Sequence, residues 1–316
     1  MTDTFRPAWW LRSPHLQTLW PVFFRKRPTL DLTWERLELD DGDFIDLAWH
    51  PRAHAPLVLM MHGLEGSLES HYAPTLMQTL HSAGFSVVFM HLRGRGREPN
   101  RLARSYHSGA SADLAEVLGK LKARGQMPAA ALGISLSGNL LLKYLGETGA
   151  ESGLQAAVAV SIPFQLAACS RKLEQGFSTL YGKHLLNQLK ASTRRKFAHQ
   201  GKPLPVDLAS LHTLFQFDDQ ITAPLNGFAG AVDYYTQCSS AAFLPHIQTP
   251  TLIIHAKDDP FMTPAVAPTA DKAPTNVTLE LTEHGGHVGF IGGAVPWKAT
   301  YWLDSRIPGW LAERLL

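Results

Sequence analysis

Residues 129–140 read AAALGISLSGNL, a short apolar run that meets a glycine, then a serine, then a helix-forming segment. A strand, a sharp turn and a helix form the context in which a G-x-S-x-G pattern indicates a nucleophilic serine. Such a turn is cramped, so the residues two before and two after the serine must be small. Gly133 and Ser137 meet this condition around Ser135, whereas a nucleophile at Ser137 would place the bulkier Asn139 at the second position. We therefore expect Ser135 to be the nucleophile, although Ser137 replaces the usual second glycine; the alternative is a strand–loop–helix junction with polar caps.

Strands and helices alternate on both sides of this stretch, which predicts a mainly parallel, twisted sheet with helices on both faces. Alternation around Asp41-Gly42 predicts a hairpin of two strands. Wholly apolar runs predict further strands that are covered on both faces. The predicted strands are 33–39, 44–49, 57–61, 86–90, 129–134, 156–160, 251–255 and 277–281, and the predicted helices before residue 163 are 72–84, 110–123 and the segment after Ser135.

The alternation stops between residues 163 and 247, where only helical pieces are indicated, around 180–189, 208–214 and 232–242. This interval is too long for a simple connection. We interpret 163–247 as a helical cap inserted into an α/β core made of 33–162 and 248–316. Residues 1–32 are expected to form an arm packed on that core, interrupted by Pro14, Pro21 and Pro28. Its aromatic segment is the one stretch that could make a weak peripheral contact with lipid.

Composition excludes several classes of protein. The chain has 316 residues, of which 45% are hydrophobic and 18% charged, enough for a large core. The net charge of +2 does not favour nucleic-acid binding. Cys169 and Cys238 do not form a disulfide framework, which favours the cytoplasm. Neither a secretory signal nor an 18-residue apolar run is expected, so no membrane span is predicted. The oligomeric state stays open.

Two polar clusters follow the last two predicted strands. A serine hydroxyl is a weak nucleophile that needs a base, and the base needs an orienting carboxylate. In chain order, the fold would place the acid after one late strand and the histidine after the next. Asp259, before Pro260, and His287, flanked by small residues, are the preferred acid and base. Asp258 and His284 remain alternatives.

The sequence also suggests roles for the groups around the proposed catalytic residues and for two clusters of charged residues. The backbone N–H groups of Leu64 and Leu136 are the expected oxyanion donors, and His62 is expected to brace a turn rather than act as a catalyst. The arginines between positions 93 and 104 are interpreted as a solvated, salt-bridged loop. Asp218-Asp219 lacks accompanying His or Cys ligands, so no metal site is predicted, and no organic cofactor either.

Several blocks of the sequence resemble the YheT-like bacterial branch of the α/β-hydrolases. They extend over nearly the whole chain: 13–18 (SPHLQT), 62–67 (HGLEGS), 98–101 (EPNR), 105–109 (SYHSG), 256–262 (AKDDPFM) and 284–290 (HGGHVGF). The resemblance implies a carboxylester hydrolase with a triad that matches Ser135, Asp259 and His287. The family's eukaryotic relatives include lipid esterases and acyl-ethanol acyltransferases. The departures are Ser137 in place of glycine, and Arg95-Gly96-Arg97 in a loop that usually carries Cys and Ser.

The sequence therefore predicts a cytoplasmic serine hydrolase that cleaves small-molecule carboxylic esters through an acyl-enzyme. Acyl transfer to an alcohol at the same site is one alternative. A non-catalytic α/β-hydrolase scaffold used for binding is the other, although a pure binder has no need of three triad groups in order.

Overall fold

An eight-stranded sheet forms the centre of the computed structural model, which describes residues 4–269 and 273–316. Its strand order is β1-β2-β4-β3-β5-β6-β7-β8. β2 runs antiparallel to β1 and β4, and every other neighbouring pair is parallel. The predicted mainly parallel sheet is confirmed. The strands of this sheet are β1 (Thr33–Glu38), β2 (Phe44–His50), β3 (Leu57–Met61), β4 (Ser86–Met90), β5 (Ala130–Ile134), β6 (Ala156–Val160), β7 (Thr251–Ala256) and β8 (Val277–Thr282), and a small antiparallel pair is formed by β9 (Ile291–Gly292) and β10 (Thr300–Tyr301).

Helices cover both faces of the sheet. They are α1 (Pro14–Phe24), α2 (Ala73–Ser82), α3 (Ser111–Ala123), α4 (Leu136–Thr148), α5 (Leu166–Lys172), α6 (Ser178–His199), α7 (Leu214–Phe217), α8 (Ala223–Leu225), α9 (Ala231–Cys238) and α10 (Leu303–Leu315). Successive strand residues point to opposite faces. In β5, Ala131 therefore belongs to the buried cluster that contains Leu114 of α3 and Leu140 of α4, while Leu132 belongs to the cluster that contains Leu76 of α2 and Trp310 of α10. Burial on both faces explains why β5 is apolar at every position.

The segment from 163 to 247 contains α5 to α9 and, among its described residues, no strand. Sequence patterning missed α5 and ended the helix near 189, whereas α6 continues to His199. The second half of α6 buries Thr193, Lys196 and Phe197, so its inward side is not uniformly apolar and periodicity does not reveal it. The boundaries proposed for a cap, an arm and a core stay a prediction.

The N-terminal residues include a helix that the sequence did not predict. Pro14 occupies the first turn of α1, where a missing N–H costs nothing. The expectation that Pro21 interrupts this segment was wrong, because α1 passes through it. A proline leaves the carbonyl four residues earlier without its helical partner. That carbonyl belongs to Gln17 and faces Gly289. A Cβ added at position 289 would lie only 2.3 Å from the Gln17 oxygen, so glycine is needed there.

The interpretation of a solvated arginine loop was wrong for Arg93, which is 1% exposed. Its guanidinium donates to Asp43 Oδ2 at 2.9 Å and to both carboxylate oxygens of Asp113, at 2.8 and 3.0 Å. Asp43 precedes β2 and Asp113 lies in α3. The three groups are distant in sequence, so only folding brings the compensating charges together. Arg97 and Arg101 do remain about half exposed.

Candidate active site

The turn between β5 and α4 presents Ser135. Its backbone is left-handed, with φ +53°, and its N–H donates to Val160 O of β6 at 2.8 Å. An added Cβ at Gly133 would lie 2.3 Å from the carbonyl oxygen of Ser137, so only glycine fits there. The hydroxyl of Ser137 points away and donates to the carbonyl of His62. The small residues that the sequence required around Ser135 are therefore explained by close backbone approach.

Ser135, His287 and Asp259 are brought together from three separate parts of the chain. His287 Nε2 lies 3.0 Å from Ser135 Oγ, and His287 Nδ1 lies 2.8 Å from Asp259 Oδ2. Asp259 is 2% exposed and His287 is 9% exposed. An Nδ1–H donated to the carboxylate leaves Nε2 as an acceptor for the serine proton. This geometry allows the histidine to act as a general base on Ser135.

The two alternative residues, Asp258 and His284, contact each other and not Ser135. His284 Nδ1 lies 3.2 Å from Asp258 Oδ2, and Gly286 N–H donates to Asp258 Oδ1 at 3.0 Å. Burial raises the pKa of Asp258, and the hydrogen bonds from Gly286 and His284 oppose that shift. Asp258 thus holds the loop that carries His287.

Neighbouring groups position the imidazole of His287. The ring of Phe261 stacks on it, with centroids 4.0 Å apart and planes 6° apart. The N–H of Phe261 donates to Asp259 Oδ1 at 2.8 Å. From α1, the hydroxyl of Thr18 accepts the backbone N–H of His287 at 2.9 Å. Sequence reasoning assigned no role to Phe261 or Thr18, although each belongs to a block that resembles the family.

The loop after β3 faces Ser135 and is held by tyrosine hydroxyls. Gly63 N–H donates to Tyr72 Oη at 2.9 Å, and Glu65 N–H donates to Tyr106 Oη at 2.7 Å. The N–H of Leu64 lies between these two groups and donates to no acceptor among residues 4–269 and 273–316.

At the start of α4, the N–H of Leu136 belongs to the first helical turn, where amides lack intrahelical partners. Leu64, Ser135 and Leu136 line the same cavity. Leu64 and Leu136, the residues whose amides the sequence analysis expected to serve as oxyanion donors, therefore both lie beside Ser135.

His62 braces the same loop. Its Nδ1 lies 2.7 Å from Gly63 O, and its Nε2 accepts the N–H of Leu92 at 3.0 Å. Burial lowers its pKa to about 3, so the ring is neutral at physiological pH. Its contacts are to backbone groups, in keeping with the turn-bracing role expected from the sequence.

The cavity beside Ser135 is mainly apolar and extends under the 163–247 segment. Its apolar lining includes Leu64, Leu136, Leu166, Leu173, Leu185, Leu189, Leu214, Phe261 and Met262. Asp218 is the acidic group of this lining; it accepts the hydroxyls of Thr222 and Tyr235, each at 2.7 Å. Burial raises its pKa to about 6. The cavity therefore suits an apolar chain, although polar side chains such as His107, Ser108 and Asp218 also line it.

Comparison with known proteins agrees with this architecture. Residues 56–294 match the family model of the alpha/beta hydrolase fold. The chain belongs to the α/β-hydrolase family. It is 47% identical to "Putative esterase YheT" of Escherichia coli over 98% of its own length and 94% of that protein. This agrees with the resemblance drawn from the sequence blocks.

More distant relatives and solved structures extend the comparison. The chain is 29% identical to human "Phospholipase ABHD3", covering 95% of this chain and 77% of the relative. It is 27% identical to yeast "Medium-chain fatty acid ethyl ester synthase/esterase 2", covering 82% of this chain and 63% of the relative. The Pyrococcus furiosus esterase Pf2001 superposes with a TM-score of 0.60 at 14% identity over 99% of both chains, which concerns the fold alone. The relatives support an enzyme of the hydrolase class, with esterases prominent among them.

Two further features bear on the site. Among the helices in the described part of the chain, none is long and apolar enough to cross a membrane. Within the same residues, no group of three or more His, Cys, Asp or Glu side chains is arranged to hold a metal ion.

Proposed function

We propose that this protein is a serine esterase that hydrolyses carboxylic esters through an acyl-enzyme on Ser135. The observation that carries the proposal is the continuous chain of contacts from Ser135 Oγ to His287 Nε2, at 3.0 Å, and from His287 Nδ1 to Asp259 Oδ2, at 2.8 Å. It lies at the rim of an apolar cavity. Serine, histidine and carboxylate in this order form the machinery for acyl transfer.

In the proposed reaction, His287 takes the proton of Ser135 as Oγ attacks the ester carbonyl. The amides of Leu64 and Leu136 stabilise the resulting oxyanion. The tetrahedral intermediate collapses, the ester C–O bond breaks, and His287 returns the proton to the departing alcohol. Water then attacks the acyl-enzyme with His287 again as base, which releases the acid and restores Ser135. Asp259 holds the imidazole in the tautomer that presents Nε2 throughout.

The apolar cavity favours esters with a hydrocarbon acyl or alcohol part, which its leucine and methionine side chains would bury. Acyl transfer is the second candidate, because one relative is named as an ester synthase as well as an esterase. An alcohol would then replace water in the second step. Cys169 and Cys238 are free and buried, which supports a cytoplasmic protein.

The decisive experiment combines a fluorophosphonate probe with a panel of p-nitrophenyl esters of increasing chain length. We expect Ser135→Ala to abolish labelling and to lower kcat by at least about 10⁴-fold, with little change in melting temperature. Ser137→Ala is the matched control, because it removes the other hydroxyl of the same turn. It should retain labelling. Labelling of Ser135→Ala would assign the nucleophile elsewhere, and absence of labelling in the folded wild-type protein would favour the non-catalytic scaffold.

A further inference from the structure

Two helices near Ser135, α1 and α6, expose large apolar side chains to solvent. On α1, Phe23 is 72% exposed and Phe24 is 63% exposed, and Leu16 and Val22 are also exposed. At the start of α6, Phe177 is 51% exposed and Leu180 is 56% exposed. Scattered exposed apolar residues are ordinary, but a grouped set marks an interaction surface. We call these six residues the α1–α6 surface.

The members of this surface lie together although they come from opposite halves of the chain. The ring of His15, on α1, is 4.3 Å from the ring of Phe177. His15 also contacts Tyr181 of α6, with Nδ1 3.2 Å from the phenol oxygen. Phe23 and Phe24 are adjacent rings, 6.5 Å apart. Because α1 and α6 are packed against each other, their exposed side chains form one surface.

An opening to Ser135 lies beside this surface, and Val22 is the member of the surface that lines it. A groove between the two helices is lined by Val22 from α1, by His184 and Leu185 from α6, and by Ser135 and His287 at its base. Leu185 also lines the apolar cavity. Arg27, Glu69 and Gln188 also line this groove, so a molecule that enters between α1 and α6 passes polar as well as apolar side chains before it reaches Ser135.

The charge of these two segments has one sign. Residues 4–30 contain five arginines and lysines and no Asp or Glu: Arg6, Arg12, Arg25, Lys26 and Arg27. Residues 175–206 likewise contain no acidic residue but carry Lys183, Lys190, Arg194, Arg195, Lys196 and Lys202. Arg25 is buried against Asp304, Lys196 is buried as well, and Arg27 pairs with Glu69, whereas Lys26, Lys183 and Arg194 are exposed. The exposed cations of these two segments are therefore the charged groups available beside the α1–α6 surface.

We propose that the α1–α6 surface docks on a phospholipid bilayer with anionic headgroups. Apolar side chains would enter the boundary between headgroups and acyl chains, and the flanking cations would pair with anionic phosphates. Charge complementarity and the grouped exposed apolar side chains argue together for this occupant. The inference that the bilayer supplies the ester rests on the proposed function, whereas docking itself does not.

Vesicle flotation of the full chain tests docking separately from catalysis. One set of vesicles is phosphatidylcholine alone, and the other contains about a third phosphatidylglycerol. The test variant is Phe23→Ser/Leu180→Ser, which removes one exposed apolar side chain from each helix. The control is Val232→Ser, because Val232 is 68% exposed but lies on α9. Hydrolysis of a water-soluble p-nitrophenyl ester is measured in parallel.

We expect the wild-type protein and Val232→Ser to float with the anionic vesicles, and the double variant to bind at least about tenfold more weakly. Binding should fall as salt is raised above about 0.1 M. All three proteins should hydrolyse the soluble ester at similar rates; inactivity of all three would count against the proposed function and not against docking. Equal binding by the double variant, or no binding by the wild type, would overturn the proposal. So would a vesicle-free dimer that the double variant dissociates, because the surface would then belong to a second copy.

Discussion

Left-handed backbone at non-glycine residues is concentrated around Ser135. Glu65, Ser135 and Val288 have φ of +54°, +53° and +58°. Each belongs to a different loop, and each stands beside a group of the proposed machinery: the Leu64 amide, the nucleophile itself and His287. Such conformations are unfavourable and persist only where surrounding contacts enforce them. The surroundings of Ser135 do so, because its N–H is bound to β6 and Gly133 permits close contact with α4.

The adjacent residues Asp258 and Asp259 have different partners, so the same substitution should have different effects at the two positions. Asp259→Asn should keep the fold but favour the wrong tautomer of His287, lowering kcat by about 10⁴-fold, by analogy with serine proteases. Asp258→Asn should instead weaken the bonds to Gly286 and His284, lowering the free energy of unfolding by about 1–2 kcal/mol.

The measurement is kcat and melting temperature for both variants. Because the two changes are chemically identical and one residue apart, each is the control for the other. An inactive Asp258→Asn beside a merely less stable Asp259→Asn would reverse the assignment.

At the scale of elements, the loop after β3 is tied to the 163–247 segment by a buried charge. Arg95 Nη1 donates to Glu65 Oε2 at 2.9 Å and to Ser192 Oγ of α6 at 2.8 Å. Arg95 Nη2 also donates to the carbonyl of Glu65 at 2.7 Å. Glu65 in turn accepts the hydroxyl of Tyr106 at 2.8 Å. Arg95 therefore joins α6 to the loop that contains Leu64.

Removing this arginine should be costly for stability. Arg95→Ala leaves the Glu65 carboxylate buried without its cation, which should lower the free energy of unfolding by about 3–5 kcal/mol. Glu65→Gln/Arg95→Ala should recover part of that loss, since no unpaired charge remains. Arg101→Ala is the control from the same loop, because Arg101 is 46% exposed and its partner Glu38 is 58% exposed. Its unfolding midpoint should be nearly unchanged.

A double-mutant cycle by urea denaturation measures the coupling between Glu65 and Arg95. Additive effects of the two single changes would show that this pair does not connect the elements.

At the scale of the whole molecule, buried neutral histidines set the response to acid. Burial lowers the pKa of His62 to about 3 and that of His91 and His107 to about 4, from 6.5. Burial also lowers the pKa of His255. A group with a lowered pKa binds fewer protons in the folded state than in the unfolded state. Protonation below pH 6.5 therefore favours unfolding, and stability is lost as pH falls toward the folded-state values.

We expect the melting temperature to fall by about 5–10 °C between pH 7.5 and pH 5.5. The raised pKa of Asp218, to about 6, acts in the opposite direction, because the folded state then binds the extra proton. Burial also raises the pKa of Asp258 and of Asp304, which act in the same direction as Asp218, but the larger number of buried imidazoles should still set the trend. Scanning calorimetry at constant ionic strength checks it, and an equal or higher melting temperature at pH 5.5 would contradict the neutral buried state of these histidines.

The sequence by itself determined the sheet and the order of the proposed catalytic groups. Apolar runs such as Leu57–Met61 are buried on both faces, so composition alone marks them as strands. Ser135, Asp259 and His287 could be selected because small flanking residues and strand ends are local features. These signals depend on neighbours in the chain, which the sequence displays directly.

Tertiary structure decided what depends on distant partners. From the sequence, Arg93 is expected to be exposed to solvent. It is buried because Asp43, just before β2, and Asp113 of α3 provide the compensating carboxylates. Pro21 looks like a helix breaker, yet Gly289 accommodates the carbonyl that it leaves free. Thr18 and Phe261 gain their roles only because α1 and the loop after β7 meet at His287. In each case the conformation or burial of a residue is stabilised by atoms far away in the chain, and no local sequence pattern contains that information.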